Sequence, residues 1–125
     1  MVPDAARSVK LRCFSYEDRR TILIALLEAM SDCGCWIAEK RALSAWQMEY
    51  QFEAKLSVVD ELYSELVAAG VEFTREAHLA MTWLCTLRRH EPEEFPSFRT
   101  VRVQLEMSFL EECDLEMGMM STAYA

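Results

Sequence analysis

Two thiols set two residues apart, Cys33 and Cys35 with Gly34 between them, form the sharpest chemical feature of the chain. On a tight corner such a pair can make half of a metal site or a redox couple. A closed zinc site needs four ligands, and neither of the two histidines, His78 and His90, stands at a spacing that would complete one. A glycine stop flanked by two small core residues explains the motif better, so no metal is expected, and the corner is where a reactive thiol would still be sought. The second cluster is His78 with Arg75, Thr82 and Arg89, which share one arc at helical spacing and could receive an anion or a carboxylate. The same arc is also the solvated stripe that any surface helix carries.

Other chemistries lack their residues. No serine occupies a Gly-x-Ser-x-Gly elbow, and no glycine-rich loop is placed to cradle phosphate. Paired carboxylates such as Glu17 with Asp18 and Glu93 with Glu94 are adjacent, so they diverge instead of converging on one substrate. No haem, flavin or nicotinamide motif is present. The expectation is therefore a non-enzymatic domain with no catalytic residue and no cofactor.

The elements that would position these side chains are written in two periodicities. Trp46, Met48, Tyr50, Phe52 and Ala54 alternate with Gln47, Glu49, Gln51 and Glu53, as in a strand with one wet face. The period then switches: Val59, Leu62, Tyr63, Leu66 and Val67 recur at helical spacing, with Ser57 as the expected N-cap and Gly70 as the stop. Upstream, Val9, Leu11 and Cys13 predict a short strand, and Ser15 opens a helix that runs to about Ser31 and ends at Gly34. Cys35 to Leu43 reads as a second strand, and Val71 to Phe73 as a short strand or a connection. Residues 75–89 alternate like a strand but sort better on a helical wheel, with Thr74 as cap, Glu76 in the first turn, and most of the circumference buried. From Phe98 to Leu110 the period is two again, with Val101, Val103, Leu105, Met107 and Phe109 on one face.

Strand, helix, strand, strand, helix, helix, strand predicts an α+β two-layer sandwich, ferredoxin-like in outline, with a four-stranded antiparallel sheet and three helices on one face. The domain would span residues 8–110, after a loose terminus (1–7), with a loop from Glu91 to Ser97 and an acidic, Met-rich tail (111–125). The other sheet face would show Lys10, Arg12, Gln47, Glu49, Gln51, Glu53, Arg102, Gln104 and Glu106, where opposite charges on neighbouring strands could pair.

Composition narrows the partners. Thirteen Lys and Arg against 21 Asp and Glu leave the 125-residue chain at −8, the wrong sign for non-specific nucleic-acid binding. The longest near-apolar run, Ile22 to Leu27, is far short of the roughly 20 residues a membrane span needs. Five cysteines, an odd number with no signal peptide ahead of them, predict reduced thiols in a cytoplasmic protein.

Function is then expected from contact with a protein partner. Small α+β sandwiches of this kind often dimerise or regulate, although fold alone says little. The first expectation is an interaction or regulatory domain that acts as a homodimer or on a partner protein through an exposed strand edge, either Phe98 to Leu110 or Cys35 to Leu43. Val101, Val103 and Leu105 would then belong to the interface, and proline at Val103 would abolish association. Trp36 joins them if Cys35 and Ile37 face the helices, which would leave its indole on the polar face; the opposite register is equally open. The alternative is a small-molecule-binding domain or minor enzyme with a pocket between helices and sheet, and His78, Arg75, Arg89 and Cys35 about its mouth.

Overall fold

The computed structural model describes residues 8–90 and 99–110. The expected loose terminus, the loop from Glu91 to Ser97 and the tail (111–125) lie outside the described residues. In chain order the elements are β1 (Ser8–Ser15), α1 (Arg19–Asp32), β2 (Trp36–Ser44), β3 (Gln47–Lys55), a 3-10 turn (Leu56–Val58), α2 (Val59–Ala68), β4 (Glu72–Phe73), α3 (Arg75–Arg89) and β5 (Thr100–Phe109). The residues 75–89 form a helix throughout.

The five strands make one sheet in the order β2-β3-β5-β1-β4. β5 runs antiparallel to β3 and parallel to β1. The α+β class stands, but the expected four-stranded antiparallel sheet is corrected to a mixed five-stranded one, and the likeness to a ferredoxin-like fold is only rough. Alternation with period two reports which face of a strand is buried and is blind to the direction of its neighbour. The fifth strand is the two-residue β4, which pairs Phe73 with Cys13 and Glu72 with Phe14 along the outer flank of β1. Thr74 closes that flank, its backbone NH and its hydroxyl both donating to the Arg12 carbonyl at 3.2 and 2.9 Å.

The apolar stripes converge as their periods require. Leu11 from β1, Tyr50 and Phe52 from β3, and Val101, Val103, Leu105, Met107 and Phe109 from β5 are buried against Ile22, Leu26 and Met30 of α1, Leu62 and Leu66 of α2, and Met81 and Leu84 of α3. Burying a side chain of this size stabilises the fold by about 1.5–3 kcal/mol, so the interior is filled by the groups that hold it together. α3 is buried more narrowly than its wheel suggests: only Ala77, Met81, Leu84 and Cys85 are inside, while Leu79 and Trp83 stay 61% and 49% exposed.

Helix ends show where local signals were decisive. Thr74 caps α3 as expected, accepting from the Ala77 NH. Ser15 does not cap α1. Asp18 does so, accepting from the Thr21 NH at 3.1 Å, while buried Ser15 donates its hydroxyl to the Gly70 carbonyl at 3.0 Å and ties β1 to the end of α2. Ser57 is replaced as a cap by the 3-10 turn, which enters α2 with no side-chain cap. Both glycine stops are as expected: Gly34 and Gly70 adopt φ of 68° and 102°, and the amides that follow them return to Met30 and Leu66 in the six-to-one pattern of a Schellman turn. At Gly70 an added Cβ would also stand 3.2 Å from Glu17 Cγ. Gly70→Ala is accordingly expected to lower the unfolding free energy by about 1–2 kcal/mol, read as a shifted urea midpoint at unchanged slope.

Candidate functional site

Among the described residues, two surfaces stand out: the polar face of the sheet and the strand at its open edge. The face is built mainly from β3 and β5, whose outward residues stand opposite one another: Gln47 with Ser108, Glu49 with Glu106, Gln51 with Gln104, and Glu53 with Arg102. Two carboxylates directly opposed on neighbouring strands repel. The face answers by giving each its own donors. Gln47 Nε2 donates to Glu106 at 3.3 Å. Glu49 receives Arg41 from β2 at 3.1 Å, Gln51 at 3.1 Å and Gln104 at 2.9 Å.

Glu49 is thereby only 4% exposed although it stands on the wet side of the sheet. Neighbouring side chains cover it, one residue deep. The amides of Gln51 and Gln104 and then Arg41 hold its carboxyl below the usual range, against the opposing effect of burial. It is an ionised group in a fully donated cage, the rigid centre of the face. Around it, Arg102 meets Glu53 at 3.5 Å. A cavity of about 500 Å³ opens beside it, lined in part by Ser8, Lys10, Gln51, Glu53, Arg102 and Gln104.

β2 is the open edge. All nine of its residues are exposed, one side pairs with β3, and the other side has no strand partner among the described residues. Its register with β3 shifts twice, between Ile37 and Glu39 and between Ala42 and Ser44. Trp36 stands opposite Glu53 on the polar side, 72% exposed. β5 by contrast is central. Val101, Val103 and Leu105 are at most 2% exposed in the core, and both flanks of their strand are paired. An edge interface through these three residues is corrected: no edge of β5 is available to a partner.

The four residues of the alternative site do not converge. His78, Arg75 and Arg89 are exposed along α3, which packs on β1 and β4, whereas Cys35 precedes β2 at the far side of the sheet. His78 is already engaged, its Nδ1 hydrogen-bonded to the Tyr63 hydroxyl and its ring stacked on Phe73 with centroids 5.3 Å apart. Thr82 and Thr86 spend their hydroxyls on carbonyls of their own helix. The thiol corner is quiet too. Burial pushes Cys33 up to about 12 and Cys35 up to about 11, and Cys33 further donates to Glu65 at 3.4 Å. Such thiols carry almost no thiolate at neutral pH. Among the described residues no group of three or more His, Cys, Asp or Glu is gathered to hold a metal, and no helix is long and apolar enough to cross a membrane.

Glu49 was legible from sequence only as one polar position among several. A like-charge opposition with Glu106 would have singled it out, but that needs the pairing of β3 with β5, and these strands are separated by two helices. Comparison with protein-family models, with curated proteins and with solved structures finds no match to this chain.

Proposed function

We propose that the chain is a non-enzymatic interaction domain that works by pairing with a second copy of itself through β2. The observation that carries this is the state of that strand: nine consecutive exposed residues with one hydrogen-bonding edge unused among the described residues. Its sequence supports a two-fold partner. From Ile37 to Leu43 it reads apolar, Ala, acid, Lys, base, Ala, apolar. Set antiparallel to its own copy about Lys40, it would bring Ile37 opposite Leu43, Ala38 opposite Ala42 and Glu39 opposite Arg41, each pair twice by symmetry. Ile37 and Leu43, 40% and 38% exposed, would cover each other at the two ends. Only Lys40 would meet its like.

A dyad perpendicular to the sheet keeps both helical layers on one side and uses up the long edge. The opposite edge is broken: the two-residue β4 covers β1 at Cys13 and Phe14 and leaves only the short run from Ser8 to Leu11, less than the nine residues β2 offers. Pairing therefore closes at a dimer instead of growing. Two exposed substitutions move the equilibrium in opposite directions. Glu39→Lys turns two attractive pairs repulsive and should weaken dimerisation about tenfold or more, while Lys40→Thr removes the clash at the dyad and should tighten it several-fold. Light scattering across a dilution series, with and without reductant, reads both. A wild-type monomer at every concentration, or a dimer mass indifferent to both substitutions, would overturn the proposal.

A further inference from the structure

The cavity on the polar face meets β2 only at Ala38 and has a chemistry of its own. One side carries cations in a chain whose net charge is −8: Lys10, on β1 opposite Gln104, and Arg102, on β5 opposite Ser8. Lys10 has no hydrogen-bond or ion-pair partner among the described residues, and Arg102 has only Glu53, at 3.5 Å and without a bidentate geometry. Ser8 adds a hydroxyl beside them.

The other side carries acceptors. Gln51 and Gln104 turn their Nε2 groups to Glu49, which leaves Oε1 as the amide atom able to accept from a ligand. Glu53 supplies a carboxylate, of which one oxygen faces Arg102. The Glu49 cage fixes both amides in this sense, because flipping either would set its carbonyl against an ionised carboxylate. Across the three strands the groups are graded: Ser8 and Lys10 on β1, Arg102 and Gln104 together on β5, and Gln51 and Glu53 on β3, around a space of about 500 Å³, within the range of small-ligand sites.

From this we infer that the cavity is a binding site for a small zwitterion of the α-amino-acid class. The ligand's carboxylate lies between Lys10, Arg102 and Ser8, and its ammonium faces Glu53 and the amide oxygens of Gln51 and Gln104. A simple anion would engage the β1 side and leave the amide oxygens of Gln51 and Gln104 without a donor, and a simple cation would leave Lys10 without an acceptor. Ala38, the residue left over at the first register shift of β2, also lines the cavity.

Calorimetric titration of the full chain with each of the twenty α-amino acids, with acetate and methylammonium as half-ligands, tests this. At least one amino acid should bind saturably below about 10 mM, and neither half-ligand should. Lys10→Gln should weaken that binding about tenfold. Arg12→Gln changes the charge equally on the same face of β1 but outside the cavity, and should leave binding within about twofold. No saturable binding by any amino acid, equal binding of acetate, or equal losses in the two variants would each overturn the assignment. Lys10 and Arg12 both lie on β1, away from the β2 edge, so these two variants test the site without altering the proposed dimer contact.

Discussion

Replacing Glu49 with alanine is expected to destabilise the fold by about 2–3 kcal/mol, because three donors then lose a buried acceptor at once. Arg41, Gln51 and Gln104 all converge on this carboxylate, and none has a second partner of equal quality among the described residues. In a chain of this size the loss corresponds to a melting temperature lower by roughly 5–10 °C. The charge contribution can be separated from the packing by Glu49→Gln, which keeps the shape. The carboxyl is held below its unfolded value, chiefly by the Gln51 and Gln104 amides. A lowered carboxylate pKa adds stability above the unfolded pKa of about 4.3 and gives it up as pH falls through the folded value. The gap between wild type and Glu49→Gln should therefore be full at neutral pH and close below about pH 4. A gap that persists undiminished at pH 3, measured by denaturant unfolding, would mean that the cage holds Glu49 by shape and not by charge.

This group also shows where sequence reasoning stops. The alternation from Trp46 to Ala54 correctly put Gln47, Glu49, Gln51 and Glu53 on one wet face, since period two is a property of the strand alone. That Glu49 is buried while the others are half-buried depends on which residues face it across β5 and β2, and register between strands separated by two helices leaves no local trace. Ser15 makes the same point in reverse. Its spacing to Asp18 is that of a capping motif, yet Asp18 caps the helix and Ser15 is drawn into the core by the Gly70 carbonyl, 55 positions along the chain. Most signals that act within one turn were readable, since Thr74, Gly34 and Gly70 do what their types predict, while Ser57 gave way to a 3-10 turn. The candidate site was readable only in part. β2 could be named as one of two possible edges, but Trp36 could not be assigned a face, and the cavity draws on four strands whose neighbours were unknown.

The strand most affected by that ignorance is β5, and there the expected result is severe. Read as an edge, Val103→Pro would merely block a partner. In the structure Val103 lies opposite Val9 on one flank and Phe52 on the other, at 2% exposure. Proline removes a ladder donor in a strand that has no free side, and its ring forces the two neighbours apart, at about 3 kcal/mol or more. Loss of the packed valine adds about 1.5–3 kcal/mol. Against a total stability of about 5–15 kcal/mol, the sum is enough to abolish cooperative unfolding at 25 °C. Val103→Ala separates the two contributions, since it removes side-chain burial and spares the backbone; it should remain folded with a lowered melting temperature. Circular dichroism of both variants decides the matter. A Val103→Pro protein that stays folded and changes only its mass would return β5 to the edge of the sheet, whereas an unfolded proline variant beside a folded alanine variant is the outcome a central, doubly paired strand requires.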